Sequence, residues 1–548
     1  MISWRRRQKN KQSYQEALFN LPVVPPVSGP DTLIENTNEF SRKLFTDYLQ
    51  WDIGKSVDAI QTKNSEYWQK AGEQMALSLF REAAERVPAY KKFLKENNVN
   101  ARKVKSIENF KKVPWINKDN YLRKYSLSEL SWDGALEANH IISTSSGSSG
   151  VPFYWPRSSL LEMETTYLQE MYLNDIFEVK SYKTLYIDAF AMGLYIAGPV
   201  ILNTALRVAQ KGYPLTIITP GLEISDTLQA IQDIAGNYEQ IVLAGYPPFL
   251  KDIIDEGINH NIDWSKYRMK FLLAGEGFNE SWREYVAERV GEKNMVNSFI
   301  NIYGTADASI VGHETPTSVA IRRLAASDNS IFKKLFPAEK CGRLPTLVQY
   351  CPTLKYFEEI DSELLFTASA GIPLIRYNIH DFGGVKTFSE IVEAVGMDVN
   401  QFDQHLKQYD KKLTPWQLPF VYLYGKSDFT VTLYGLNIYP ENIKMALEDC
   451  EVRDKITGRF AMSTEYHPKT NNQYLLINVE IKRDTPPNVE LERGIINVII
   501  KTLRQVNAEY NKLYSSIGVG RSEPVVKLCK YGDPKHFKRG IKHTWTKR

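Results

Sequence analysis

Residues 65 to 95 repeat apolar positions at helical spacing, punctuated by Val87-Pro88, and this predicts an amphipathic helical region ahead of the main body of the chain. From about Ile141 the texture changes. Short β-rich runs (TLYIDAF, LTIITP, QIVLAGY and KFLLAGE) alternate with helical segments, which predicts parallel α/β layers. Several of these runs end in Gly or Pro where a loop would leave the sheet, the place where α/β folds hold ligands. Between Phe382 and Pro419 a helical pattern (SEIVEAVGMDVNQFDQHLKQ) reads as an inserted or accessory element. Beyond Gly425 the pattern restarts: NIYPENIKMALEDC predicts a helix start, YLLINVEIKR a strand and ELERGIINVIIKTLRQVNAEYNKLY one long helix. The expected fold class is α/β, with a large multi-layer N-terminal α/β domain and a small mobile α+β C-terminal domain. The boundaries fall at 1–64 for a partly ordered extension, 65–424 for the large domain with its insertion at 382–419, and 429–548 for the small one.

At 548 residues the chain exceeds one ordinary domain, and with 43% hydrophobic and 24% charged residues it can bury a large core without metals or disulfides. The formal net charge of +4 is small for this length, and the dense basic stretch from Arg5 to Lys11 reads as a solvated helix start, so nucleic acid is not an expected partner. Cys341, Cys351, Cys450 and Cys529 show no CxxC spacing, no apolar run follows the arginines near Met1, and no stretch is long enough to cross a bilayer. A reduced, cytoplasmic setting with free thiols is expected, as a monomer or homodimer. The eight histidines fall in no HExxH or similar spacing, so zinc is not expected.

The chemistry concentrates in a few segments. Ile141-Ile142 leads into Ser143-Thr144-Ser145-Ser146-Gly147-Ser148-Ser149-Gly150, a loop whose backbone N–H groups and hydroxyls can wrap phosphates. No lysine follows Gly150, so this is not a Walker loop, and taken alone it reads equally as a flexible Ser/Gly linker. Four later segments follow in order: AGEGFNE (274 to 280), YGTADAS (303 to 309), LIRYNIHDFGG (374 to 384) and YGKSDFTVTLYGLNIYPENI (424 to 443), with KRGIKHTWTKR at the end.

Together these segments resemble the adenylate-forming (ANL) superfamily, nearest its phenylacetate-CoA ligase branch and the related deazaflavin-coenzyme adenylyltransferases. The resemblance spans roughly residues 65 to 548. It implies that Asp381, at a strand end, accepts hydrogen bonds from the ribose hydroxyls of ATP, and that Gly275, Glu276 and Gly277 line the adenine slot with backbone groups. A helix cap and a tight turn are the plain alternatives. Thr144 to Gly150 would surround the phosphates. Phe190, Met192, Gly193 and Tyr195 would shape the acyl pocket, although each reads equally as core. Tyr303, Gly304, Thr305 and Asp307 match the segment that meets the α-phosphate and holds magnesium. Ala306 there lacks the family's hydroxyl, so Thr305 or the Ser/Gly loop would have to supply the donor.

Lys426 stands where the family has arginine at the ribose, a point charge in place of a bidentate fork. Asp428 matches the hinge between domains, and Gly435 matches the glycine along the thiol path or else a hairpin turn. Lys542 matches the catalytic lysine, with Lys535, Lys538 and Lys547 as neighbours. The implied reaction uses ATP and Mg2+ to turn a small carboxylic acid, aromatic by resemblance, into an acyl-AMP. The acyl group then passes to coenzyme A or to phosphopantetheine on a carrier protein. An adenylyltransferase that leaves AMP on its acceptor, or a degenerate binding protein, are the rival readings.

Overall fold

The computed structural model describes residues 48–145, 153–193, 196–336, 344–426, 431–483, 485–517, 519–533 and 535–537. Helices Ser65–Arg86 and Pro88–Glu96 fill the predicted helical region. Val87 turns extended between them, and Pro88, with no N–H to lose, starts the second helix.

Eighteen strands follow among the described residues. β1 (Asn139–Ser145) and β2 (Phe153–Ser158) form an antiparallel hairpin. The main sheet takes β3 (Thr184–Asp188), β4 (Leu215–Ile218), β5 (Gln240–Gly245), β6 (Arg268–Ala274), β7 (Phe299–Thr305), β8 (Ser309–His313), β9 (Thr346–Gln349), β10 (Lys355–Ile360), β11 (Glu363–Ala368), β12 (Leu374–Lys386) and β13 (Phe420–Lys426). β14 (Val431–Leu433) and β15 (Leu436–Ile438) make a second hairpin, and β16 (Ile456–Tyr466), β17 (Gln473–Ile481) and β18 (Val525–Cys529) a small sheet.

The order of the eleven-stranded sheet is β10-β11-β12-β13-β9-β8-β7-β6-β5-β3-β4. The runs that sequence analysis read as parallel, β3 to β6, do pair in parallel, together with β7. Every residue of β3 and β5 is buried, which is why these runs carry apolar residues on both faces rather than alternating. From β7 onward neighbours are antiparallel, a half of the sheet that the chain's pattern did not announce.

Two expectations change. β12 continues through Phe382 to Lys386, so the intervening helices, Phe388–Ala394 and Val399–Lys407, occupy the stretch from 387 to 419 rather than from 382. Each opens on a reciprocal capping box, Thr387 with Glu390 and Asp398 with Gln401. The long C-terminal helix is two helices, Val489–Val506 and Ala508–Ile517. Asn507 breaks it by adopting an extended backbone while its side chain accepts from Tyr510 N–H, so one asparagine ends the first helix and caps the second.

A single apolar cluster runs from Leu185, Leu243 and Phe271 of the main sheet to Ile477, Ile495 and Leu503 of the C-terminal region. Polar contacts join the same parts: Arg521 pairs with Asp252 at 2.9 Å, and Lys251 donates to Asn472 at 2.7 Å. Among the described residues no helix is long and apolar enough to cross a membrane, and Cys351, Cys450 and Cys529 are free thiols.

Candidate active site

The C-terminal ends of β5, β6 and β7, the bulged middle of β12 and the β14–β15 hairpin border a cleft of about 1320 Å³. Thr144, Gly275, Glu276, Gly277, Tyr303, Gly304, Thr305, Asp307, Asp381 and Gly435 all line it, though they come from five separate stretches of sequence.

Asp381 does not sit at a strand end. It lies inside β12, opposite Lys426 of β13, where the register slips on both sides, between Leu364 and Leu365 of β11 and between Phe382 and Gly383. His380 just before it has φ 60°. This local left-handed turn and the register slips re-aim the carboxylate out of the ladder, as bulges beside active sites do. Tyr303 of β7 donates its hydroxyl to Asp381 Oδ2. Burial, with Asp381 alongside, keeps the Tyr303 phenol well above its ordinary range, so it stays a donor.

Asp307, in the turn between β7 and β8, is 5% exposed. Tyr377 hydrogen-bonds it from β12, and Asp307 Oδ2 is buried with no partner in the protein. A buried carboxylate oxygen left open is costly unless something else fills its lone pairs. Thr305 Oγ1 accepts from Ala308 N–H at 3.0 Å, and so closes the turn that carries Asp307.

Glu276 follows β6 and is half-buried, with its Oε1 atom fully enclosed. Gln473 Nε2 donates to its Oε2 at 2.5 Å, and Gly435 N–H reaches the same carboxyl. Burial pushes Glu276 up to about 8 despite those two donors. Its Oε1 and the Oδ1 of Asn301 are both buried acceptors without protein partners on the cleft wall. Asn301 Nδ2 donates to Glu276 O at 3.2 Å, so the two acceptors belong to one edge of the cleft. Asn301 was not singled out from the sequence, although it stands two residues before Tyr303 in NIYG. Lys118, Asp119, Arg123 and His380 also line the cleft without having been anticipated.

Beneath this edge lies a buried ion network. Glu314 Oε2 accepts from Asn301 N at 3.0 Å and its Oε1 pairs with Arg283 at 2.8 Å. Arg322 pairs with Glu280 at 2.7 Å, takes Pro345 O at 3.0 Å and also donates to Phe278 O. These groups fix the turn after β6 and the strand bearing Asn301.

The apolar end is lined by Ile196, Ala197, Val200 and Ile201 from one helix and by Ile302 and Ile310 from the sheet. Of the residues expected to shape an acyl pocket, Phe190 is fully buried behind this wall, Met192 gives its carbonyl to Lys512 Nζ at 2.5 Å, and Gly193 is exposed; Ala191 is the member of that segment on the cleft surface. Gly435 has φ 77° and follows Tyr434 at φ 49°, the paired left-handed residues of a two-residue hairpin. It is thus a turn residue that also faces the cleft. Ser146, Gly147, Ser148, Ser149, Gly150, Tyr195, Asp428 and Lys542 lie outside the described residues, as do the side chains of Ser145 and Lys426.

Away from the cleft lining, Cys529, Asp533 and His536 place their ligand atoms within 4.8 Å of one another, a spacing that did not read as metal-binding in the sequence.

A scan against protein-family models finds no match, and a search of curated proteins finds no similar one. Solved structures do match. A 2-hydroxyisobutyryl-CoA ligase in complex with 2-HIB-AMP and CoA, in its thioesterification state, is 14% identical and aligns over 89% of this chain and 91% of its own with a TM-score of 0.58. The amide bond synthetase McbA from Marinactinospora thermotolerans is 13% identical over 72% of this chain and 66% of its own, with a TM-score of 0.41. The near full-length match to the first of these shows that the chain shares the fold of that ligase.

Proposed function

We propose that this protein activates a carboxylic acid with ATP, forming an acyl-AMP, and then passes the acyl group to the thiol of coenzyme A or of a carrier-borne phosphopantetheine. One observation carries the reading. Asp381, Asp307, Asn301 and Glu276 converge on a single cleft, and three of the four hold a buried acceptor oxygen that no protein group satisfies. The bound 2-HIB-AMP and CoA of the structurally similar ligase are consistent with it.

In this reading the ribose hydroxyls donate to Asp381, whose orientation Tyr303 fixes, and the 6-amino group of adenine donates to the open Asn301 Oδ1 beside Gly275. Asp307, whose buried Oδ2 has no protein partner, would hold a magnesium ion as a hard oxygen ligand. Magnesium supplies charge neutralisation at the phosphates. The protein's part is to hold acid and α-phosphorus in line and to keep water from the mixed anhydride. The aliphatic residues on the cleft wall suit an apolar acid, aryl or alkyl.

Pyrophosphate release with MgATP across a library of acids tests the reading, and mass spectrometry of the product separates a thioester from AMP retained on an acceptor. Asp381→Ala is expected to lower kcat/KM for ATP by about 1.5 to 3 kcal/mol, the worth of hydrogen bonds to a charged group; unchanged kinetics would remove Asp381 from the nucleotide site. Asp307→Asn is expected to cut adenylation sharply and to regain part of it at high Mg2+ or Mn2+, because an amide is a poorer ligand for a hard cation. A loss that no metal concentration moves contradicts the assignment.

The raised carboxyl of Glu276 has a pH consequence. Between the ordinary glutamate value and about 8 the folded chain keeps a proton that the unfolded chain has released, so this group makes stability fall as pH rises through that window. Glu276→Gln, which cannot ionise, should therefore gain in Tm relative to the parent between pH 5 and pH 8. A difference in Tm that stays constant with pH contradicts the assignment.

A further inference from the structure

Tyr246 immediately follows β5 and precedes the helix Pro247–Asn259, at the sheet end that borders the cleft. Its ring stands edge-on to Phe190, with centroids 5.0 Å apart at 87°. On its other side it meets two glycines from different parts of the fold. A Cβ at Gly275 would lie 2.8 Å from Tyr246 Cδ1 and 3.2 Å from Gly435 Cα, and a Cβ at Gly435 would collide with the same ring edge. Both glycines have positive φ, 91° and 77°. Glycine is needed at each for two reasons, the left-handed backbone and the ring lying against it. Tyr246 also packs against two apolar clusters, the one that the main sheet shares with the C-terminal region and the one that holds Phe190.

As the family resemblance implies, Gly275 would belong to the adenine turn, Gly435 to the thiol route and the Phe190 segment to the acyl end. The ring of Tyr246 touches all three. The point common to them is where the carboxylate of the acid must lie, because that carbon is joined first to the α-phosphate and then to sulfur. We infer that Tyr246 is the wall against the near end of the acyl group and that it selects acids slim at the carbons next to the carboxylate. It is a specificity-determining residue whose contribution is its ring. The inference rests on the acid-activation reading and adds to it which part of the acid the protein discriminates.

The experiment compares acid-dependent pyrophosphate release for unbranched or arylacetic acids against acids branched at the α-carbon, in the parent and in Tyr246→Ala, Tyr246→Leu and Tyr246→Phe. Tyr246→Ala is expected to raise the ratio of kcat/KM for branched over unbranched acids by about tenfold or more, the scale on which pockets discriminate a methylene. The change should appear in KM for the acid more than in KM for ATP. Tyr246→Leu, which keeps apolar bulk for folding, should move the ratio in the same direction by less, and Tyr246→Phe should keep the parent preference. A ratio unmoved in both Tyr246→Ala and Tyr246→Leu, or moved as far by Tyr246→Phe, would overturn the inference. Absence of acid-dependent pyrophosphate release in the parent protein itself is a separate result, and it strikes the functional reading before any variant is made.

Discussion

Arg322→Met is expected to destabilise the protein by about 3 to 5 kcal/mol, the usual effect of removing one member of a buried ion network. Arg322 is 1% exposed and holds Glu280 at 2.7 Å, Pro345 O at 3.0 Å and Phe278 O. Methionine fills much of the volume but leaves two carbonyls and part of a carboxylate unsatisfied. Arg283, 3.0 Å from Glu280 and 2.8 Å from Glu314, cannot replace it, because it already serves both acids. The damage should reach the cleft, since Phe278 closes the turn that begins at Gly275 and Glu314 holds Asn301 N–H. The check is thermal unfolding beside kinetics. Tm should fall, KM for ATP should rise in the protein that stays folded, and Arg322→Met with Glu280→Met should recover part of the loss by removing the stranded charge. An unchanged Tm contradicts the claim that this network holds the nucleotide edge.

Lys542→Ala is expected to slow acyl-AMP formation by about two to three orders of magnitude, the cost of losing one charge aimed at a developing anion. The variant should still convert supplied acyl-AMP to thioester. Phe537, Ile541 and Trp545 stand at four-residue intervals among the lysines of the sequence, a spacing that predicts an amphipathic segment. Phe537 is fully buried beneath Arg459, whose guanidinium carbon lies 5.4 Å from the ring centre, so the tail is anchored to the small sheet five residues before Lys542. If the C-terminal region turns about Asp428 between the two steps, as the family resemblance implies, such a lysine should matter in the first half-reaction alone. Equal damage to both half-reactions, or none to the first, contradicts both the lysine's role and the alternation of the lid.

Several features of the site were legible in the chain because they are carried by local signals. Gly275 and Gly435 mark turns that demand left-handed backbone, and Thr144, Gly275, Glu276, Gly277, Tyr303, Asp307, Asp381 and Gly435 line one cleft. What was not legible depends on contacts between distant segments. Asp381 lies in mid-strand because register slips re-aim it, and the left-handed residue beside it is His380, which carries no glycine signal. Tyr246 reads as an unremarkable strand end until Gly275 and Gly435 close on its ring. The acids and arginines from Glu280 to Arg322 look like helix surface in the sequence, and pairing across two helices and a strand turns them into a buried support. The break at Asn507 escaped because no Pro or Gly marks it; an asparagine ends one helix and caps the next through its side chain.

Acid activation itself is tested most directly by incubating the purified protein with MgATP and each member of an acid library and measuring pyrophosphate release, with and without coenzyme A. At least one apolar carboxylic acid should release pyrophosphate well above the rate without acid, with acyl-AMP detected by mass spectrometry when the thiol is omitted and AMP plus thioester when it is present. Pyrophosphate release that no acid raises, or ATP cleaved to ADP and phosphate, would contradict it.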